Sequence, residues 1–318
     1  MSTCLDLPGP TEIEAAAQRL AGRVRRTPLL APGAGSFGLP FALSLKLECL
    51  QHAGSFKVRG AFNALLSRQA PAAGVAAASG GNHGAAVAYA AQALGLPARI
   101  FVPEIASPAK LAKIRAAGAE VVVAGDRYAD ALALCEAYQR ESGAVGIHAY
   151  DAAETIAGQG TLGREWAAQA PELDTLLVAV GGGGLIAGIA AWFQGAKRIV
   201  GVEPEGAPSL HAALAAGGPV DVAVDSLAAD SLGAKRAGRL THAIAARQVA
   251  QVVLVPDGAI AEAQRRLWQD CQLAVEPGAA TALAALLTGA YAPGPEERVG
   301  VLVCGGNVDL AALAGSLR

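Results

Sequence analysis

Charge is scarce in this chain. Asp, Glu, Lys and Arg make up 16% of its 318 residues, and 25 basic side chains stand against 27 acidic ones, a formal balance of −2. No basic surplus is present to neutralise a nucleic-acid backbone or an anionic bilayer, so neither is expected as a partner. Cysteine is sparse as well. Cys4, Cys49, Cys135, Cys271 and Cys304 are odd in number and widely spaced, with no C-x-x-C pair and no histidine at ligand spacing. A disulfide framework and a structural zinc are therefore not expected, and a reducing cytoplasm is the expected home. The opening MSTCLDLPGPTEIEAA has no basic stretch before an apolar core, so no secretory signal is expected. Aromatic residues are only 4%, and six lysines stand beside 19 arginines. With abundant Ala and Gly, that skew is a compositional bias from which no function is read.

Apolar residues are plentiful at 53%, which excludes a disordered chain and supplies two cores at roughly 150 residues per domain. One run, Leu176 to Phe193, holds 18 residues without a charge and has the length of a membrane span. Four consecutive glycines, Gly181 to Gly184, interrupt it. At about 1 kcal/mol each relative to Ala they make a poor helix centre, and a buried strand, a glycine turn and a helix fit the same letters.

Short aliphatic runs alternate with Ala-rich segments along the chain. Strands are expected at 75–79, 98–103, 120–125, 175–180, 198–204, 251–256 and 298–304, with helices near 83–95, 107–117 and 128–141. Strand–helix alternation of this length predicts parallel sheets covered on both faces, an α/β class. Ser107 before Pro108 and Asp257, supported by Glu262, read as helix caps. No repeat and no low-complexity linker divides the chain.

Three glycine clusters follow expected strands: Ser79-Gly80-Gly81-Asn82-His83-Gly84, Gly181 to Gly184, and Cys304-Gly305-Gly306-Asn307. Glycine lets backbone N–H groups approach a ligand, and a helix N-terminus adds partial positive charge, which suits phosphate. No Gly-Lys-Ser/Thr follows any of them, so a P-loop is excluded. Gly182 to Ala187 matches G-x-G-x-x-A, with Glu203 about 20 residues further on, a formal dinucleotide fingerprint. It lies deep in the chain rather than at the first strand. The stretch Gly54-Ser55-Phe56-Lys57-Val58-Arg59-Gly60 offers different chemistry. A lysine amine forms a Schiff base with an aldehyde, and burial lowers its pKa toward the nucleophilic form.

The whole series of motifs resembles the fold-type II pyridoxal-phosphate enzymes, and among them the threonine/serine dehydratase and serine racemase branch. It runs Leu45-Lys46-Leu47-Glu48, Gly54 to Ala61, Ser79 to Gly84, Gly158-Gln159-Gly160-Thr161, Gly181 to Leu185, Glu276-Pro277, Cys304 to Asn307. Spanning about Thr27 to Asp309, it displaces the dinucleotide reading. The resemblance implies two open α/β domains with pyridoxal 5'-phosphate between them, a larger one from 1–74 plus 151–318 and a smaller inserted one at 75–150. It implies Lys57 as the residue joined to the cofactor and the base for the substrate α-proton. Phe56 would pack under the pyridine ring, Asn82 would bond its phenolic oxygen, and Gly181, Gly182, Gly183, Gly184 and Leu185 would bind the phosphate. Cys304 stands opposite the ring nitrogen. Ser79, Gly80, Asn82 and His83 would hold the substrate carboxylate. Relatives are commonly dimers, and a homodimer is expected.

Departures from the pattern shape the expected activity. Serine racemases place a second serine where this chain has Gly80, which has no proton to give, so elimination is expected over racemisation. Metal-activated relatives hold Mg or Ca with a Glu, a carbonyl and an Asp, where this chain has Glu203, Ala207 and Ser209. The chain ends soon after Asn307, so a C-terminal regulatory domain is not expected. The expected activity is a dehydratase, or ammonia-lyase, of a β-hydroxy amino acid, with L-threonine or L-serine as substrate. Phenylserine or hydroxyaspartate dehydration, serine racemisation and non-catalytic cofactor binding are the alternatives. Glu48, Glu276 and Asp230 are expected to be caps or ion-pair partners, and the segment Ala229 to Ala234 to approach the cofactor.

Overall fold

The computed structural model describes residues 5–33, 35–68, 71–104, 108–126 and 128–316. Its strands are β1 (Leu29–Leu30), β2 (Leu43–Lys46), β3 (Val75–Ala78), β4 (Ala98–Val102), β5 (Glu120–Val123), β6 (Val145–Gly146), β7 (Thr175–Ala179), β8 (Arg198–Pro204), β9 (Gln251–Val255) and β10 (Val299–Leu302). The helices are α1 (Pro10–Leu20), α2 (Lys57–Leu66), α3 (Asn82–Ala93), α4 (Pro108–Ala116), α5 (Tyr128–Ser142), α6 (Ala153–Gln169), α7 (Gly184–Phe193), α8 (Ser209–Ala216), α9 (Ala229–Leu232), α10 (Arg239–Gln248), α11 (Asp257–Cys271), α12 (Pro277–Thr288) and α13 (Leu310–Ser316).

Two open sheets form. One runs β1-β2-β10-β7-β8-β9, the other β5-β4-β3-β6. Every pairing is parallel except β1 with β2, a departure from the all-parallel expectation made at a two-residue edge. In the smaller sheet Val75 and Ala77 face one core with Ile100 and Val102, while Ala76, Ala78 and Phe101 face another. That period of two, apolar on both faces, is the signature of a strand covered by helices on each side. The first of these cores also contains Leu20 of α1 and Val58, Ala61, Phe62 and Leu65 of α2, so α2 bridges the two sheets.

Each sheet reverses its strand order once. From β7 the chain steps outward to β8 and β9, then returns to β10 on the other side. From β3 it steps to β4 and β5, then returns to β6. Ligand crevices open at the carboxyl ends of strands flanking such a reversal. The segments there are Gly181–Gly184 after β7, Cys304–Asn307 after β10, Ser79–Gly81 after β3 and Ile147–Tyr150 after β6.

The uncharged run 176–193 is β7, the glycine turn and α7. Among the described residues no helix is long and apolar enough to cross a membrane. The Gly158-to-Thr161 motif lies within α6 and serves close packing. A Cβ on Gly160 would stand 2.9 Å from the Gly188 carbonyl of α7, and one on Gly158 would stand 2.7 Å from the Arg59 carbonyl of α2. Of the two expected caps, Ser107 lies outside the described residues. Asp257 does not cap α11: its carboxylate accepts from the Ser226 hydroxyl and the Leu227 N–H, both at 2.6 Å. Glu262 lies beyond the first turn and pairs with Arg265 and Arg266.

A buried charge cluster fixes α2 to the larger sheet. Arg59, 1% exposed, donates through Nε to Glu48 Oε1 at 2.6 Å and through Nη2 to Glu48 Oε2 and Glu165 Oε2, both at 3.0 Å. Lys46, fully buried, donates to the other Glu165 oxygen at 2.5 Å, to the Thr27 carbonyl and to Gln169. Two cations thus balance two carboxylates, and removing one leaves a buried carboxylate without its partner. Arg59→Leu should lower the unfolding free energy by about 3–5 kcal/mol, read as a shift of the urea midpoint at unchanged slope.

Candidate active site

The chain around Lys57 is zipped to the segment that follows β10. Phe56 donates its N–H to the Cys304 carbonyl at 3.2 Å, Ser55 and Gly305 form an antiparallel bridge, and Gly306 donates to the Gly54 carbonyl at 2.8 Å. Lys57 therefore opens α2 at a fixed place beside Cys304. Its Nζ lies 5.2 Å from the centre of the Phe56 ring and donates to the Ala149 carbonyl at 2.8 Å. Burial lowers the Lys57 pKa to about 8, against the opposing pull of Cys304 and Glu276.

Burial acts on the neighbouring groups in ways that depend on their charged form. Cys304, 3% exposed, is pushed well above the usual thiol range by burial, reinforced by Glu276 and Cys49. It stays a neutral thiol. His83 is pushed down to about 3 by burial and by Lys57. Its Nε2 stands 2.8 Å from the Ile147 carbonyl. A carbonyl only accepts, so Nε2 carries the proton and Nδ1 has none to give. The His83 ring is thus a neutral one that ties α3 to the end of β6.

The other carboxylate-site candidates cluster at the start of α3. The Ser79 hydroxyl accepts from the Gly81 N–H at 3.2 Å, which leaves its own proton available. Asn82 Nδ2 donates to Glu276 Oε1 at 2.7 Å, and its Oδ1 accepts from Asn307 Nδ2 at 2.6 Å. Gly80, Gly81 and Asn82 share a cavity of about 30 Å³ with Ala85, Lys113, Asp230, Glu276 and Asn307. Asp230 lies on α9, inside the segment expected to approach the cofactor, and a Cβ on Gly81 would stand 3.6 Å from its carbonyl.

The glycine turn after β7 is held from behind. Ser209 donates to the Gly181 carbonyl at 2.6 Å, and Gly238 N–H and Thr241 Oγ1 reach the Gly182 carbonyl at 3.1 and 3.3 Å. In a trans peptide the following N–H points opposite its carbonyl, so the amides of Gly182 and Gly183 face away from these anchors. The first turn of α7 adds amides without intrahelical acceptors at Gly184 and Leu185. Gly183 sits at φ +87°, and a Cβ there would strike the Thr241 methyl. A Cβ on Gly182 or Gly184 would strike Tyr150, the neighbour of the Ala149 that holds Lys57. This amide cradle and the amine with a pKa of about 8 fit a phosphate and an aldehyde respectively, the two handles of pyridoxal phosphate.

The three residues weighed for a divalent cation do not fit one. Glu203 is fully buried, and its oxygens accept from the N–H groups of Leu210 and His211 at 2.8 Å each. Ser209 Oγ reaches Glu203 Oε1 at 3.1 Å while donating to Gly181, and burial pushes the Glu203 carboxyl up to about 7. Among the described residues no group of three His, Cys, Asp or Glu side chains converges as a metal site. Reading the sequence missed Lys113, Tyr150, Ala149 and the turn made by His148, whose Nδ1 accepts from Tyr150 and Asp151 N–H. Two of these act through backbone atoms, which carry no residue-type signal. Asn307 sat in a motif without an assigned part, and Glu276 was expected only as a cap or ion-pair partner.

A neutral amine is needed to capture an aldehyde. With a folded pKa near 8, capture of pyridoxal 5'-phosphate by the apoprotein should accelerate as pH rises through about 8 and level off above it. Stopped-flow absorbance of the apoprotein mixed with cofactor measures this, and a rise centred near the free-lysine value would contradict the burial effect.

Comparison with known proteins accords with this geometry. Residues 20–305 match the family model described as pyridoxal-phosphate dependent enzyme. The chain is 40% identical to phenylserine dehydratase of Ralstonia pickettii, covering 98% of this chain and 97% of that one. It is 41% identical to L-threonine ammonia-lyase of Geobacter sulfurreducens, over 96% of this chain and 77% of that one. Among solved structures, maize serine racemase superposes with a TM-score of 0.90 at 34% identity, covering 97% of this chain and 96% of that one. The chain belongs to the fold-type II family of pyridoxal-phosphate-dependent enzymes, among its dehydratases and racemases.

Proposed function

We propose that this chain is an ammonia-lyase that removes water from a β-hydroxy amino acid, L-threonine or L-serine, and releases a 2-oxo acid and ammonia. The observation that carries the reading is one base with no partner across the substrate: of Lys57, His83 and Cys304, only Lys57 titrates near neutral pH, and residue 80 is glycine. Racemisation needs a proton delivered to the face opposite the one that loses it, whereas elimination needs only the first transfer.

Pyridoxal phosphate supplies the electron sink for the charge left at Cα. Lys57 would hold the cofactor and, from the position its Nζ takes beside the Ala149 carbonyl, would remove the α-proton. The amides of Gly182 to Leu185 hold the phosphate, and Ser79 with the amides at the start of α3 holds the substrate carboxylate. Cys304, a neutral thiol, would give a ring nitrogen beside it no full proton, which suits loss of a β-leaving group. Loss of the β-hydroxyl with a proton gives, after hydrolysis, the keto acid and ammonia. Residues 75–150 act as the smaller domain that closes over the substrate and excludes water, with 1–74 and 151–318 as the larger.

Phenylserine is the second reading, favoured by the 40% identity to a phenylserine dehydratase.

Purified enzyme offered L-serine, L-threonine, threo-phenylserine and threo-3-hydroxyaspartate one at a time should release keto acid fastest from one of the first two. Fastest release from phenylserine would replace the substrate, and no keto acid from any would remove the lyase. Lys57→Ala should abolish both turnover and the visible absorbance of bound cofactor. Gly80→Ser should raise the ratio of racemised to eliminated serine, read by chiral chromatography. An unchanged ratio would show that residue 80 does not face the second side of Cα.

A further inference from the structure

With the His83 ring committed to the Ile147 carbonyl, the carboxylate site at the start of α3 has no cation from its own loop. The cavity there is lined by two carboxylates, Asp230 and Glu276, and by one cation, Lys113 of α4. An α-amino acid must bring its carboxylate into this space. Backbone amides at a helix start and one hydroxyl oppose only part of the repulsion two carboxylates would exert at short range. Lys113 stands at the same opening. Its Nζ donates to Asn307 Oδ1, and Asn307 in turn donates to Asn82 Oδ1 at 2.6 Å and to the Ala53 carbonyl at 2.9 Å. Lys113 thus sits one side chain away from Asn82, placed by a contact that crosses from the smaller sheet's helices to the segment after β10. An ammonium carries three donors and no acceptor, and the Asn307 contact uses one.

We infer that Lys113 is a substrate-binding residue: its ammonium pairs with the α-carboxylate of the amino acid held at Ser79–Asn82. This rests on the ammonia-lyase reading and deepens it. It makes α4 part of the substrate site, a part that no glycine motif in the sequence marks. It also gives the substrate a direct means of drawing the smaller sheet's helices toward the cleft, because the carboxylate and Asn307 would be gripped by the same ammonium.

Two ligands, one without an α-hydrogen and one without a carboxylate, separate this part from a structural one. α-Methyl-L-serine has amine, hydroxyl and carboxylate, and 2-aminoethanol has the first two only. Both are titrated into the cofactor-loaded enzyme and followed by the visible spectrum. In Lys113→Met the affinity for α-methylserine should fall about ten- to hundredfold, the scale of a lost charged hydrogen bond. The affinity for 2-aminoethanol should stay as it was, and KM for the amino acid should rise far more than kcat falls. Lys113→Arg, also a donor-only cation, should restore most of the loss. Equal loss for both ligands, or no loss for either, in a variant with unchanged melting temperature would overturn the assignment of Lys113. Wild-type enzyme that shifts its spectrum with α-methylserine but releases no keto acid from L-serine, L-threonine, threo-phenylserine or threo-3-hydroxyaspartate would instead sink the lyase reading and leave Lys113 to be judged by the ligand pair. Wild-type enzyme that binds neither ligand would overturn both.

Discussion

Everything at the cleft depends on keeping α2 where it is, and α2 is kept there by Arg59. Two residues beyond Lys57, that guanidinium is clamped between Glu48, next to β2, and Glu165 of α6, with Lys46 closing the cluster. Such buried pairs are poor sources of net stability, because desolvation offsets much of the Coulomb attraction. What they supply is position. A helix held only by apolar contacts can slide, whereas five donors on a planar fork bind two carboxylates in one geometry. The glycines at 158, 160 and 188 serve the same end by letting α2, α6 and α7 close to backbone contact. Lys57 is thereby carried to the seam between two sheets whose strand-order reversals open toward each other.

Desolvation at that seam sorts the titratable groups by type. The same loss of water lowers the amine's pKa and so leaves more of it neutral and free to take a proton, while it holds the thiol and the histidine uncharged. Lys57 becomes a base usable near neutral pH, Cys304 stays a thiol, and His83 stays an uncharged strut. A single physical cause thus yields one reactive group and two inert ones, without a dedicated charge partner for any of them. That economy also explains why the site tolerates an Asn82–Glu276 contact so close by: the carboxylate opposes, but does not overcome, the fall in the Lys57 pKa.

Strands were the most legible part of the sequence, because burial on both faces leaves an uninterrupted apolar run. The segment 198–204 was expected and found with the same bounds, and 175–180 differs from β7 by one residue. β1 and β6, two residues each, carry too few side chains to make a pattern. The glycine clusters were legible because backbone approach excludes every other residue type, and they mark the carboxyl ends of β3, β7 and β10. Contacts made by backbone carbonyls, such as Ala149 on Lys57 and Ile147 on His83, left no trace in the letters. Lys113 was invisible for another reason: a lysine on a surface helix has no spacing that separates a solvated side chain from one turned into a cleft. Asp257 shows the opposite error. It has the residue type and place of a cap, but tertiary donors at Ser226 and Leu227 claim its oxygens first.

The Glu203 region shows how polar groups that could face a cation are committed to other partners. A hard cation needs several oxygen ligands with charge among them. Here the only carboxylate of the three positions is turned onto the amides of Leu210 and His211 at the start of α8, and the serine at 209 is turned onto the Gly181 carbonyl. The two contacts form one chain from α8 to the glycine turn. Ser209 therefore anchors Gly181 from behind with a hydrogen bond, and the peptide plane that presents the Gly182 amide is fixed by a side chain of this protein. An aspartate at 209 would supply the missing charge for a cation but would have no proton to donate to Gly181. Direct anchoring of the glycine turn and a carboxylate facing a cation are alternatives at that position, and the serine here makes the first.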